Sequence, residues 1–477
     1  MITYDRLFIG GRWTAPCTPD LIEVRSPHDG SLVGRAAQAG PADVDRAVAA
    51  ARAAFDEGPW PRMAPEERMR AVARFDELHL ARAAEIAALI TAENGSPHWF
   101  TSMLQPAVSV QTQGYLRAAG ELAWEERRPA AGGGETVVRR EPVGVVAAVI
   151  PWNAPHQSAL AKLVPALLAG CTVVLKPSPE TALDGLLLGE LFAEAGFPDG
   201  VVSILPGGRE AGAHLVAHPG VDKVAFTGST TAGRAIAAAA AETFKRVTLE
   251  LGGKSAAIVL EDADLDQVVA GLRYASFGNN SEACVAQTRI LAPRSRYEEV
   301  VAAVAALAEG LAVGDPADPA TFLGPMVRAD QAERVRSYVE LGVREGARLV
   351  TGGPGIPEGL EGGHYVRPTV FADVDNAMRI AREEIFGPVL VVIPFDDEDE
   401  AVRIANDSPY GLGGGVWTAD REHGLEIARR VRTGTFNVNG ASPDMAAPFG
   451  GFKASGVGRE FGAAGLSHYT ELKSIAV

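Results

Sequence analysis

Of the three cysteines in the 477-residue sequence, only Cys284 stands where a nucleophile would: in FGNNSEACVAQTR, a polar loop after an apolar helical stretch. Cys171, in AGCTVVLK, abuts a buried strand, and Cys17 lies near the N-terminus. A free thiol titrates at about 8.5, so it attacks at neutral pH only when its surroundings or a base activate it. The ordinary alternative for any one cysteine is a small buried hydrophobe. Glu250, in TLELGGK, ends an apolar run and precedes two glycines that let the backbone turn sharply; its carboxylate suits either activation of water or a loop cap. Asn153, in PWNAP, follows the apolar run VGVVAAVI. An amide there can donate to a developing oxyanion, as acyl chemistry requires, or cap a helix.

A second group of residues suits a phosphate-bearing ligand. In FTGSTTAGR, strand 223–227 meets a helix through Gly228 and Gly233. Free N–H groups and the dipole at that helix start would face a pyrophosphate, although a tight strand-to-helix turn explains the same residues. Lys176 closes TVVLK just before Pro177, which places its ammonium at the carboxyl end of a parallel strand, where ligands of such sheets bind. Its alternative is an ordinary surface lysine.

The elements that must position these residues follow from periodicity. Residues 41–58 and 64–93 carry apolar side chains at helical spacing, the second ending at Asn94-Gly95. From Val143 short apolar runs alternate with helical segments: VGVVAAVI, helix 156–169, strand 172–176, helix 180–195, strand 201–205, helix 209–217, strand 223–227, helix 230–241 and strand 246–251. Strands apolar on both faces predict a parallel sheet covered by helices, hence a Rossmann-like nucleotide-binding half. A second α/β series begins after Gly253, with strands at 256–260, 289–292 and 389–395 and helices near 296–310, 327–345 and 398–406. The Gly-rich, then strand-like segment at 127–142 interrupts the first series as a flexible loop or as a strand arm that pairs with another subunit.

Composition narrows the class of function. Hydrophobic residues make up 47% and charged residues 22%, as in ordinary folded enzymes. Sixty acidic against 44 basic residues give a net charge of −16, which opposes nucleic acid and anionic membrane surfaces as partners. Three cysteines without CxxC or Cys/His spacing predict neither a disulfide framework nor a zinc site, and no metal is expected. With no basic leader and no uninterrupted apolar span, the expected location is cytoplasmic.

In order, PWN, LKPS, FTGST, LELGGK, the Cys284 loop, EEIFGPV at 383–389 and PFGGFKASGVGRE at 448–460 resemble the aldehyde dehydrogenase superfamily, from FIGGRW near the start to HYTELKSIAV at the end. The resemblance implies a discontinuous NAD(P)-binding domain (1–123 and 143–253), a catalytic domain (254–455) and a small β oligomerisation arm (124–142 and 456–477), assembled as a homodimer or homotetramer. It implies that Cys284 attacks an aldehyde, that Asn153 and the Cys284 N–H hold the oxyanion, and that Glu250 activates the water that releases a free acid from a thioester. It assigns Lys176 to the adenosine ribose, Ser229 to the pyrophosphate, Glu384 to the nicotinamide ribose and Phe386 to packing beside the nicotinamide, with Trp152 lining the same cleft.

The sequence departs from the family pattern in three places. The position three residues after Lys176, often Glu in NAD-preferring members, is Pro179, with Glu180 one place later. NAD is the expected cofactor and NADP stays open. Ser281 and Glu282 replace the usual Gly-Gln before the cysteine. A carboxylate beside the thiol would raise its pKa unless it points to solvent, and Glu282 is expected to point away. After Asn153, small Ala154, Ser158 and Ala161 fall on one helical face, which predicts a roomy tunnel for a bulky aromatic, terpenoid or long-chain aldehyde. A non-catalytic binding or structural protein on the same fold is the rival. A thiol hydrolase would need a His partner, and none of the nine histidines sits in a recognisable motif.

Overall fold

The computed structural model describes residues 1–442 and 444–477 and contains two large sheets, each flanked by helices. The first has eight strands in the order Gly456–Val457, Arg246–Glu250, Lys223–Thr227, Val145–Val149, Thr172–Lys176, Val202–Ile204, Leu7–Ile9 and Arg12–Thr14. Its middle five strands are parallel; Gly456–Val457 at one edge and the Leu7–Ile9 hairpin at the other run antiparallel. Val145–Val149 and Thr172–Lys176 are buried at every residue, because helices cover both faces of this sheet, as continuous apolar runs require.

The second sheet has seven strands, ordered Arg348–Thr351, Thr369–Ala372, Val389–Phe395, Gln287–Pro293, Ser255–Val259, Gly414–Trp417 and Asn437–Val438. All its pairings are parallel except that of Arg348–Thr351. The α/β class with a Rossmann-like sheet and a second α/β unit is therefore as expected.

Two three-stranded sheets remain. One joins Ile2–Tyr4, Leu32–Ala37 and Leu21–Arg25; the other joins Thr470–Ala476, Glu135–Pro142 and Glu125–Pro129 in antiparallel register. Of the segments assigned to an arm, 124–142 and the last strand thus pair with each other. Gly456–Val457 instead extends the eight-stranded sheet beside Glu250, because the motif at 448–460 folds back over the end of that sheet.

Two helical expectations change. The segment 64–93 is two helices, Pro65–Ala81 and Ala83–Asn94, broken at Arg82, whose guanidinium pairs with Glu85 and with Glu190 at 2.7 Å. A 24-residue helix, His98–Glu121, went unassigned. Its buried face includes Thr101, Gln105, Gln111 and Thr112, and Pro106 sits inside it, so its apolar stripe is broken by polar residues where period detection needs it whole. No helix among the described residues is long and apolar enough to cross a membrane.

Candidate active site

Strand register aligns the first group of candidates. Lys176 stands opposite Val149, Val149 opposite Phe226, and Glu250 opposite Thr227. Lys176 and Glu250 therefore both finish strands at the carboxyl edge of the parallel sheet, the edge at which such sheets bind ligands. The chain leaves Val149 and passes through Asn153 before helix Pro155–Ala169, which starts with proline.

Ala154, not Asn153, occupies the N-cap position, so the Asn153 amide is no helix cap. Its Nδ2 donates to the Glu282 carbonyl at 2.8 Å, and the Asn153 carbonyl accepts from Asn279 Nδ2 at 2.9 Å. An amide nitrogen carries two hydrogens, so one N–H is left for an oxyanion after the tether is made. The tether joins the end of a strand in the first sheet to the cysteine loop that feeds the second.

That loop is strained and held in place. Asn279, Asn280 and Ser281 have φ of 52°, 60° and 55°, a left-handed run that costs non-glycine residues of order 1–3 kcal/mol each. The Asn280 amide donates to the carbonyls of Gly95 and Pro325 at 3.0 Å and accepts from Gly324 N at 2.7 Å, while Ser281 Oγ donates to Ser276 O at 2.7 Å. These bonds anchor the loop to both halves of the chain.

Gly252 and Gly253 have a different role from the sharp turn expected of them. Neither has positive φ among the described residues. A Cβ on Gly252 would lie 2.2 Å from the Glu384 carboxylate, and one on Gly253 would lie 2.3 Å from the Cys284 carbonyl. The glycines are required by close approach: Glu384, whose Oε1 accepts the Gly253 N–H at 2.9 Å, comes against one and the cysteine loop against the other. Gly253, Ser281, Ala283, Glu384 and Phe386 line a cleft between them.

Charge in the site runs against a resting thiolate. Burial, with the negative charges of Glu384, Glu250 and Glu460, pushes the Cys284 thiol up to about 12. Burial also raises Glu250 well above the usual carboxylate range, with Glu460 adding to the rise. Glu250 is buried, and neither carboxylate oxygen has a hydrogen-bond partner among the described residues, which suits a group that takes up a proton. Burial lifts Glu384 to about 7. A protonated thiol beside carboxylates of raised proton affinity is an acid–base arrangement in which attack and proton removal are coupled.

Sequence reasoning missed what lies behind Glu250. Lys162 Nζ donates to Glu460 Oε1 and to Thr227 Oγ1, both at 2.6 Å. The signal was available, since Lys162 is the single cation in the otherwise apolar LAKLVPALLA of a buried helix.

The cofactor candidates divide. Lys176, buried, gives its ammonium to the carbonyls of Pro177 at 3.0 Å and Gly207 at 2.5 Å. Burial lowers it to about 8. Ser229 is exposed and caps helix Thr230–Ala241, its Oγ accepting from Ala232 N at 3.2 Å, which leaves the hydroxyl proton to donate. Phe386, at φ 63°, meets Trp152 edge to face with centroids 5.4 Å apart. Gln331 Nε2 donates to the Phe386 carbonyl at 2.7 Å, and Asn94 Nδ2 to the Trp152 carbonyl at 2.9 Å.

Three placements differ from expectation. A Cβ on Gly233 would lie 2.5 Å from Leu251, and one on Gly228 would lie 2.5 Å from the Phe226 ring, so both glycines serve packing within the turn. Glu180 is already engaged at both carboxylate oxygens, one accepting from Ser178 Oγ and the other from the Arg328 guanidinium. Arg328, 148 residues away in sequence, thus brings a guanidinium to Glu180. Glu282 does not point to solvent but is buried, with Oε1 accepting the Val327 N–H at 3.2 Å. The charges that raise the Cys284 thiol are those of Glu384, Glu250 and Glu460.

The chain is similar to known proteins over nearly its whole length. Residues 13–475 match the aldehyde dehydrogenase family. The chain is 50% identical over 475 residues to geranial dehydrogenase of Castellaniella defragrans, covering 99% of each chain. Its fold matches a Mycobacterium tuberculosis aldehyde dehydrogenase complexed with NAD+ at TM-score 0.97 and 50% identity, covering 100% of this chain and 98% of that one. It also matches a Pseudomonas syringae aldehyde dehydrogenase, a cysteine-to-alanine variant complexed with NAD+ and octanal, at TM-score 0.95 and 44% identity, covering 99% and 96%.

Because the Gly253 contact sets the position of the cysteine loop, Gly253→Ala is expected to lower kcat by about 10²-fold while the chain still folds, the cost of moving reacting groups by about 1 Å. Steady-state kinetics beside circular dichroism check it; unchanged kcat in a folded variant would remove this role for Gly253.

Proposed function

The chain belongs to the aldehyde dehydrogenase family, and from that premise we propose that it oxidises a bulky terpenoid, aromatic or long-chain aldehyde to the free acid with NAD+. The observation that carries the mechanism is the tether from Asn153 to the Glu282 carbonyl, which brings an amide donor to the loop of the one partly exposed cysteine placed among carboxylates. Cys284 loses its proton to Glu250 and attacks the aldehyde carbon. The free N–H of Asn153 and the Cys284 N–H hold the oxyanion, a contribution of about 10²–10³-fold for one such donor. NAD+ bound at the cleft supplies the hydride acceptor. Once Glu250 has passed the thiol proton to solvent, water that gives its own proton to Glu250 hydrolyses the thioester left on Cys284, releasing the free acid and the Cys284 sulfur.

Glu250 does not stand alone in the proposed cycle. Lys162, bonded to Glu460 and Thr227, sets the charge behind it. A buried carboxylate that accepts a proton in each half of a reaction needs such a counter-charge, or the second ionisation becomes too costly.

The residues present fit a dinucleotide. The exposed start of helix Thr230–Ala241 and the Ser229 hydroxyl offer donors for a pyrophosphate. Lys176 holds only neutral carbonyls and has an ammonium hydrogen to give a ribose hydroxyl. Glu384 keeps one carboxylate oxygen outside its bond to Gly253. The complexes of the two structural relatives with NAD+ support the same cofactor here. Glu180, committed to Ser178 and Arg328, exerts no selection against a 2′-phosphate, so NADP is expected to serve as the weaker alternative cofactor.

The aldehyde class rests on Ala154 and Ser158, partly exposed after Asn153, and on the 50% identity to a geranial dehydrogenase. Ala161, by contrast, is shut beneath Tyr115, whose hydroxyl donates to the Ala161 carbonyl at 3.1 Å. The breadth of the tunnel therefore comes from the first turn of the helix alone. The arm sheet we take as the oligomerisation element, since Glu125–Pro129 is exposed at every residue and leaves a strand edge free.

Three outcomes test this function. Glu250→Gln should slow the first turnover of NADH, measured as a burst at 340 nm, and lose about 10²–10⁴-fold in steady-state rate; Cys284→Ala should abolish both. In an aldehyde panel, kcat/KM for citral, benzaldehyde and decanal should exceed that for acetaldehyde with NAD+, and a preference for acetaldehyde would reject the bulky class. Deletion of residues 470–477 should convert the dimer or tetramer to monomer in light scattering, and an intact assembly would reject the arm.

A further inference from the structure

A buried carboxylate without a cation is costly, and the cysteine loop contains one. Glu282 is 2% exposed and forms no ion pair among the described residues. Its Oε1 accepts the neutral Val327 N–H at 3.2 Å, and the one other polar group that bears on it as a hydrogen-bond partner is the neutral Asn280 amide. The adjacent Asn280 amide has already given both hydrogens to the Gly95 and Pro325 carbonyls. An ionised carboxylate offers about four acceptor sites and would be left nearly unsolvated here, at a cost of several kcal/mol per ion. A neutral carboxyl, with one oxygen accepting from Val327, fits the same space as an amide would.

The backbone of the same residue holds the site together. The Glu282 N–H donates to Asn279 O at 2.8 Å, and its carbonyl accepts the Asn153 amide at 2.8 Å. Cys284 follows two residues later. A displacement of Glu282 therefore moves the oxyanion donor and the nucleophile relative to each other. Arg328, one residue beyond Val327, is the one charge that bears on Glu282, and it is committed to Glu180 and Asp330.

We propose that Glu282 is a positioning residue that works as a protonated carboxyl, and that its ionisation sets an alkaline limit on acylation of Cys284. The proposal rests on the acyl chemistry proposed above for Cys284. It agrees in direction with the effect of burial, which raises Glu282 well above its ordinary value of 4.5. With the proton bound more tightly in the folded chain, the native state holds more protons than the unfolded one. Stability is then full below the unfolded pKa of 4.5 and is lost as pH rises through the folded value.

Glu282→Gln keeps the acceptor for Val327 and cannot ionise. The test compares it with the wild-type holoenzyme in two measurements across pH. In the first, the single-turnover rate of NADH formation, the variant should gain on the wild type as pH rises, by about tenfold or more at the alkaline end. In the second, thermal unfolding, the variant should have the higher Tm at alkaline pH, with the gap closing toward pH 4.5. Parallel rate profiles, or a wild type as heat-stable as the variant at alkaline pH, overturn the proposal. So does a Glu282→Gln chain that fails to fold, because a neutral amide should fit where a neutral carboxyl does. Failure of the aldehyde reading would look different: neither protein would form NADH from any aldehyde, and the unfolding comparison would still decide whether Glu282 is held protonated.

Discussion

The 2.8 Å hydrogen bond from the Asn153 amide to the Glu282 carbonyl is the constraint on which the site depends. Asn153 belongs to the end of a strand in one sheet and Glu282 to the loop before a strand in the other. Neither half of the molecule carries both the Asn153 amide and Cys284, the groups to which we assign oxyanion binding and attack. The bond couples them, and Asn279, which reaches back to the Asn153 carbonyl, doubles the coupling. Three successive left-handed residues on the loop are tolerated because these contacts, with those of Asn280 and Ser281, over-determine the backbone. Strain here has a use: it turns the chain so that Glu282 faces inward toward Val327 while Cys284 faces the carboxylates.

The electrostatics follow from the same closure. Glu250, Glu384 and Glu460 all raise the pKa of the thiol, and Lys162 pairs with Glu460. Such a site is poor at storing a thiolate and suited to making one only when a positive ligand arrives, because an opposite charge nearby favours the ionised form. Restraint of this kind fits a reaction that needs cofactor and aldehyde together, since a thiolate formed in advance would be exposed to oxidation. Glu384, lifted to about 7 by burial and tied to the Gly253 N–H, is a further acid held in the same cleft.

Much of this was legible in sequence where local pattern and local role coincide. The strands ending at Lys176 and Glu250 show as apolar runs, and the motif order along the chain shows the family. What the sequence concealed was long-range. Arg328 lies 148 residues from its partner Glu180, and Glu460 lies 298 residues from Lys162, so no spacing rule connects them. Helix His98–Glu121 escaped because Thr101, Gln105 and Gln111 interrupt its buried face. Gly252 and Gly253 were visible as glycines, but the reason for them was not: the atoms they accommodate, the Glu384 carboxylate and the Cys284 carbonyl, come from elsewhere in the chain.

Glu282 illustrates how a single departure from a family pattern is absorbed. Adjacency in sequence suggests a carboxylate beside the thiol, with solvent as its natural outlet. The left-handed turn sends it the other way, into a pocket where its hydrogen-bonding neighbours are neutral. The thiol is thereby spared a fourth negative neighbour, and the charge problem moves to Glu282 itself. A buried acid in a neutral pocket solves that problem by keeping its proton. The substitution then preserves the shape and hydrogen bonding of an amide while making the loop sensitive to pH, a property that the amide would not confer. Because the carbonyl of the same residue carries the tether to Asn153, that sensitivity reaches the chemistry through geometry rather than through charge.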